Sequence, residues 1–369
     1  MEVIAWTGAS HLRGRGLEQH DTDAELFREQ VIGFFPHRGA HVAYAVTGTG
    51  PPLLLDVGRA HHLEAFWRHA PYRHLVRRLS RRFTVLRWDR PGFGMSDRRP
   101  ADLSWEAEDA LVDGLARLVG GAPVAIVAAG DTGPTMVRFA ASRPDRVSRL
   151  ALFGTAADPH AAVSGLTAAA LELLAGASAP AIHEAVAAAL AAGADPDVAP
   201  WLAAALEASA DVATMAQLVA RPAGHTGAPA ELVRAPTIVL HRAGDAVLAP
   251  LFGRALAARI PGAAFVPLPG SAHLIYAGDP EPLLAALLPF LLQGGDGEPR
   301  QLSQRELEVA HMVTLGLTNA EIGRHLSIRP RTVDAHLEHI RAKLGVNSRA
   351  RIAAWAARNQ PLRVVQGSS

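Results

Sequence analysis

The sequence predicts two folds in one chain: a mainly parallel, doubly wound α/β sheet with a helical cap, then a small all-α module of four helices. Three observations predict this. From residue 40 onward, short apolar runs bounded by Gly, Pro or Asp alternate with helical patterns, as strands buried on both faces alternate with crossover helices. That rhythm stops over 158–232, which is rich in Ala and Leu and carries no strand-like run. Past the Gly-rich joint Gly294-Gly-Asp-Gly-Glu-Pro299, flexible by composition, the last segment is written in helix starts and stops.

Residues 1–29 are polar, lack a clear period and are read as a tail or an added N-terminal element. Strands are expected at Val42–Val46, Pro52–Val57, Phe83–Asp89, Val124–Ala129, Leu150–Phe153, Pro236–His241 and Ala264–Leu268. Helical patterns at Tyr72–Ser80, Trp105–Val119 and Pro134–Ser142 fall between them. The cap is expected over 158–232, inside an α/β domain of 30–293. A linker at 294–300, the helical module at 301–360 and a tail at 361–369 complete the chain.

Bulk composition narrows the function classes. The chain has 369 residues, which favours two domains, and 49% hydrophobic content supports a real core. With no cysteine, disulfides, thiolate catalysis and Cys-type zinc sites are excluded. No apolar span reaches the roughly 20 residues a membrane helix needs. The N-terminus lacks a secretory pattern, so a cytoplasmic protein without a membrane partner is expected. His61, His62, His69 and His74 have no carboxylate or further His at convincing ligand spacing, so neither metal nor cofactor is expected. Net charge is +1 but uneven. Residues 301–359 hold nine Arg/Lys and five acids, a net of +4, which leaves −3 for the rest. A basic module on an acidic body points to an anionic partner at the C-terminal end.

Five turns in the α/β domain carry chemistry-bearing residues. Val124-Ala-Ile-Val-Ala-Ala-Gly-Asp-Thr-Gly-Pro134 is a strand-like run that breaks into a tight turn of small residues before a helix. Asp89-Arg-Pro-Gly-Phe-Gly-Met-Ser-Asp97, Leu240-His-Arg-Ala-Gly-Asp245 and Pro269-Gly-Ser-Ala-His273 each follow a strand, and Val57-Gly58-Arg59 ends another. On these motifs, residues 33–293 resemble the α/β-hydrolases. Domains of that kind fused to LuxR-type modules or to nucleotide cyclases are particularly similar, through Ala43-Tyr-Ala-Val-Thr-Gly-Thr-Gly-Pro-Pro52.

The resemblance implies that Asp245 and His273 occupy the acid and histidine positions of a catalytic triad and that Gly58 and Arg59 sit at the oxyanion loop. A working enzyme carries Ser at the apex of the strand–turn–helix. Relatives place that Ser seventeen residues before the position of Val147, and here it is Gly130. The other register makes Asp131 the nucleophile, as in dehalogenases and epoxide hydrolases of this fold. It requires a one-residue deletion in the helix and lacks the Trp that usually follows. Glycine also tolerates the strained apex backbone. The expectation is therefore a degenerate site, not an enzyme, with Asp131 as the fallback nucleophile. Gly58, Arg59, Gly130, Asp131 and His273 are the candidate lining of a pocket for a small apolar ligand.

In the module, Ser303-x-x-Glu306 and Thr318-x-x-Glu321 read as capping boxes, Gly316 and Gly345 as helix stops, and Pro330 as a first-turn residue. Ser348 can cap a fourth helix running to about Ala357. Val333, Leu337, Ile340 and Leu344 form the apolar stripe of the third helix, and the opposite face carries Arg331, Asp334, Ala335, Glu338 and Arg341. Glu306, Gly316, Thr318-Asn319, Glu321-Ile322, Arg331-Thr332-Val333 and Lys343-Leu344-Gly345-Val346 give this segment its resemblance to LuxR/FixJ-type DNA-binding domains. The resemblance implies double-stranded DNA as partner, a homodimer joined through the fourth helix, and a reading surface from Thr318, Asn319, Arg329, Arg331, Thr332, Asp334, Ala335, Glu338, Arg341 and Lys343. Asp334 and Glu338 stand where many relatives are basic. Acids repel phosphate, but they can accept from cytosine amino groups. Arg329 replaces a capping Ser. The expected protein is a one-component transcriptional regulator; the rival expectation is an active hydrolase, using Asp131 or an activated water, tethered to a DNA-binding module.

Overall fold

A computed structural model describes residues 29–98, 102, 104–119, 123–157, 178–211, 213–214, 229–292, 304–326, 328–344, 346 and 348–358. The chain divides into two compact units, Met1–Leu291 and Leu292–Ser369. The first is built on an eight-stranded sheet in the order β1-β2-β4-β3-β5-β6-β7-β8. Its strands are β1 (Val31–His37), β2 (Ala40–Thr47), β3 (Pro52–Asp56), β4 (Thr84–Trp88), β5 (Val124–Ala129), β6 (Val147–Phe153), β7 (Thr237–Arg242) and β8 (Ala264–Leu268). From β4 to β8 every neighbouring pair is parallel, while β2 runs antiparallel to β1 and to β4.

Burial follows position in the sheet. All six residues of β5 are buried, which is why Val-Ala-Ile-Val-Ala-Ala shows no alternation. β1 is an edge strand that the sequence pattern misses. Gly33 and Pro36 interrupt it, a combination tolerated at an edge where not every N–H must enter a ladder. The helices of the first unit that are described are α1 (Leu63–Arg68), α2 (Ala70–Ser80), α3 (Trp105–Leu118), α4 (Gly133–Ser142), α5 (Ala179–Leu190), α6 (Val198–Ser209), α7 (Pro250–Arg259) and α8 (Glu281–Leu292). Leu111, Leu115, Met136, Val137, Phe139 and Leu256 bring three of them, α3, α4 and α7, into one core with the sheet.

Within 158–232, where a cap is expected, the described helices are α5 and α6; residues 158–177, 212 and 215–228 lie outside the described residues. The C-terminal end of α6 is tied to the body by hydrogen bonds. Gly94 N donates to Ser209 O at 2.7 Å, and Ser209 Oγ donates to His61 O at 2.8 Å. Trp201 of α6 stacks on His69 at 3.8 Å and meets Phe66 and Tyr276 edge-on, so aromatic burial adds to these bonds.

The turn after β4 explains its own motif. Asp89 accepts from Leu63 N, Met95 N and His61 Nδ1 at 2.8–3.1 Å, and Ser96 Oγ donates to Asp89 O at 2.6 Å. These bonds close the loop.

The second unit contains α9 (Gln304–Thr314), α10 (Asn319–Leu326), α11 (Pro330–Leu344) and α12 (Arg349–Arg358). Val309, Val313, Ile322, Val333, Leu337, Ile340 and Ile352 form its core; the Leu344 side chain lies outside the described residues. The second capping box forms: Thr318 N donates to Glu321 Oε2 at 2.7 Å and Glu321 N to Thr318 Oγ1 at 3.4 Å. Ser303 of the first box and Gly345 fall outside the described residues.

Close packing at the start of α4 makes a test. A Cβ on Gly133 would lie 2.2 Å from Thr155 Oγ1, and Thr155 is buried. Gly133→Ala is expected to destabilise the first unit by about 1–3 kcal/mol, read as a lower denaturant midpoint by tryptophan fluorescence.

Candidate functional sites: the elbow cleft and the helix-turn-helix face

The candidate cleft residues gather at the carboxyl ends of the parallel strands, where open α/β sheets place their ligands. Gly58 and Arg59 follow β3, Gly130 and Asp131 follow β5, Asp245 follows β7 and His273 follows β8. β5 ends in a 3-10 turn, Gly130–Thr132, that feeds α4 directly. Gly130 has φ +59°, a left-handed conformation that glycine adopts without the strain a side chain would add. A Cβ built there would point at His273, 3.6 Å from Nε2. The Gly130 register is the one whose side-chain direction meets the histidine.

His273 is held ready for a partner. Its Nδ1 donates to Asp245 Oδ2 at 2.8 Å. Asp245 also accepts Val247 N and Leu248 N on Oδ1 at 2.9 and 3.0 Å, and His241 Nε2 lies 3.2 Å from Oδ2. Burial alone pushes the Asp245 carboxyl up. The bonds from His241 and His273 outweigh it and hold the group far below the usual carboxylate range. His241, a support that sequence reading missed, is fixed by Leu248 O at 2.8 Å.

The opposite side of the turn is ionic. Arg59 NH1 pairs with both oxygens of Glu108 at 2.9 Å, and its NH2 donates to Thr135 Oγ1 at 2.8 Å. Arg90 joins Glu108 to Asp56 through bonds of 2.6–3.0 Å. The two acids hold the Arg90 guanidinium pKa above its ordinary value although burial opposes them. Asp131 is the loosely held member. Its Oδ1 accepts Arg59 N at 3.3 Å and its Oδ2 lies 3.6 Å from Arg59 Nε. Desolvation by the surrounding loops raises its carboxyl pKa and Arg59 pulls the other way; with 36% of the side chain open, water tempers that rise.

Chemically, the arrangement offers an imidazole oriented by a carboxylate and no side-chain atom at the Gly130 position that faces it. An oxyanion needs N–H donors. One such donor of this fold, an N–H of the loop after the first parallel strand, is already taken by the Asp131 carboxylate at Arg59 N. Arg59 was anticipated, but its side chain turns away to Glu108. Glu108 and Asp56 carry no sequence signal, because the network joins residues 18 to 76 positions apart.

In the helical module the two acids of the candidate reading face are occupied. Asp334 Oδ1 accepts Asn319 Nδ2, and Glu338 Oε1 pairs with Arg341 NH1, both at 2.5 Å. Asn319 in turn accepts Arg349 NH1 at 2.7 Å, so one amide bridges α12 to α11. Thr318 is engaged in its capping box. Arg329, Arg331, Thr332 and Ala335 are exposed, while the Lys343 side chain lies outside the described residues.

Residues 46–286 match the Alpha/beta hydrolase family, and residues 300–356 match the Bacterial regulatory proteins, luxR family. Over 73 residues the chain is 40% identical to a protein of Mycobacterium bovis named for an HTH-type transcriptional regulator, a match covering 18% of this chain and 8% of that protein. Over 58 residues it is 43% identical to Transcriptional regulatory protein LiaR of Bacillus subtilis, covering 16% and 28%. The chain thus spans 8–28% of the length of these curated relatives. Among solved structures, the enol-lactonase from Burkholderia xenovorans is similar with a TM-score of 0.53 and 22% identity, over 70% of this chain and 99% of that one. That likeness is one of fold alone. Among the described residues no helix is long and apolar enough to cross a membrane.

Proposed function

The chain belongs to the α/β hydrolase family and carries a LuxR-type helix-turn-helix fused to that domain, and from this premise we propose that it is a DNA-binding transcriptional regulator whose hydrolase-fold domain binds a small molecule instead of hydrolysing one. One observation carries the loss of catalysis: the position whose side chain would meet His273 Nε2 is Gly130. Without an attacking atom there is no acyl-enzyme step. Asp131 is not a substitute nucleophile in this reading, because its carboxylate turns to Arg59 and Gly58.

The Asp245–His273 pair favours one rival, hydrolysis by a water standing in for the serine. Asp131 opposes it, since a carboxylate at an oxyanion donor repels the charge that develops in the transition state. The rival predicts ester turnover by the full chain that His273→Ala abolishes.

DNA binding rests on the helix-turn-helix and its exposed Arg329, Arg331, Thr332 and Ala335 at the start of α11. A base would have to displace Asn319 from Asp334 or Arg341 from Glu338, so the arginines supply the accessible contacts in this reading. A homodimer through α12 and a cytoplasmic location complete it. The full chain is expected to retard double-stranded DNA in a gel-shift assay. Arg331→Ala should weaken that binding evenly across sequences and lower the log–log salt slope by about one. An unchanged slope with unchanged affinity would remove Arg331 from the interface.

A further inference from the structure

Resting on the ligand-binding reading above, we propose that the cleft takes a ligand whose head group is a hydrogen-bond donor bearing positive charge, a protonated amine, held between Asp131 and His273. Hydrolase chemistry asks for donors around the reacting oxygen. This chain presents acceptors at the same place.

Two independent observations lead there. The first is His273. Its side chain is 95% buried, with 5% exposed, and Nε2 is aimed at the empty apex of Gly130 without a hydrogen-bond partner among the described residues. Asp245 fixes the proton on Nδ1, so Nε2 of the uncharged ring is a lone-pair acceptor. A ligand hydrogen donated to it would satisfy an atom that the absent serine leaves idle.

The second is charge. Among the described residues, Asp56, Glu108 and Asp131 stand around Arg59 and Arg90, three carboxylates beside two guanidiniums. Asp56 is bound at both oxygens by Arg90, and Glu108 at both by Arg59. The unbalanced charge therefore resides on Asp131, which has the longest contacts of the network, 3.3 and 3.6 Å, and an open third of its side chain. A carboxylate ligand would have to expel Asp131 from Arg59 N and would meet a surplus of negative charge. A neutral carbonyl would find that same N–H occupied. An ammonium group needs neither rearrangement: it can donate to Asp131, and His273 Nε2 beside the Gly130 apex is a second acceptor. The apolar body expected from the sequence then carries a charged end.

The test compares 1-hexylamine, 1-hexanol and hexanoate, one chain length with three head groups, binding to the full chain by titration calorimetry. Hexylamine is expected to bind about tenfold more tightly than either competitor, the order of one charge-assisted hydrogen bond. Asp131→Asn should erase that advantage. Folding of the variant is checked by its thermal transition, and Asp131→Glu should keep part of the preference. Hexanoate or hexanol binding most tightly overturns the head-group assignment and leaves the ligand-binding reading standing. A hexylamine preference that survives Asp131→Asn overturns the role of Asp131. No binding of any of the three overturns the proposal together with the reading beneath it.

Discussion

Gly130→Ser is expected to give a protein that a fluorophosphonate probe labels covalently, with the label on residue 130. The geometry for this is already present. The missing Cβ projects to within 3.6 Å of His273 Nε2, and a serine Oγ extends from there by one bond into hydrogen-bond reach of that nitrogen. His273 is oriented by Asp245 at 2.8 Å, so base and acid need no rebuilding. The serine must accept φ near +59°, at a cost of about 1–3 kcal/mol. What the single substitution does not repair is the oxyanion site, where Asp131 keeps Arg59 N. One lost oxyanion donor costs about 10²–10³ in rate. Gly130→Ser combined with Asp131→Ala should therefore label faster than Gly130→Ser alone by about that factor. The parent chain and Gly130→Ser/His273→Ala are expected to stay unlabelled. Folded Gly130→Ser protein that never reacts would show that the cleft has lost more than its nucleophile.

That experiment probes the part of the site that was legible in the sequence, and the reason for its legibility is local. Gly130, Asp131, Asp245 and His273 each sit in a turn directly after a strand, so short motifs carry their positions. The strands β3 to β7 were legible for a related reason: they are largely buried, and buried parallel strands read as apolar runs. β1 was not, since an edge strand containing Gly33 and Pro36 has neither an unbroken run nor clean alternation. The polar network escaped as well. Asp56, Arg90 and Glu108 meet only because β3, the turn after β4 and α3 pack together, and no spacing encodes a contact between residues 34 positions apart. In the module, hydrophobic period and capping gave the helices. The pairing of Asp334 with Asn319 depends on how α10 crosses α11, so the occupancy of the acids could not be read from their order in the chain.

Arg90→Leu is expected to destabilise the first unit by about 3–5 kcal/mol, the cost of stranding buried charge. Arg90, Asp56 and Glu108 expose 6%, 3% and 5% of their side chains. Taking such groups out of water is costly, and their mutual bonds of 2.6–3.0 Å are what offset it. Glu108 keeps Arg59 when Arg90 is removed, but Asp56 loses both of its side-chain bonds to a guanidinium at once. Most of the penalty should therefore arise at Asp56. A double variant separates charge from shape: Arg90→Leu with Asp56→Leu removes both partners, and replacing a buried pair by apolar groups is often nearly neutral. Urea unfolding followed by tryptophan fluorescence reports this unit, whose described tryptophans are Trp67, Trp88, Trp105 and Trp201. The double variant is expected to recover at least half of the loss. If Arg90→Leu costs under about 1 kcal/mol, the range of an exposed pair, the network is solvated and cannot hold Arg59 in place. The excess negative charge assigned to Asp131 would then be screened as well, so this stability measurement bears on the ligand chemistry of the cleft.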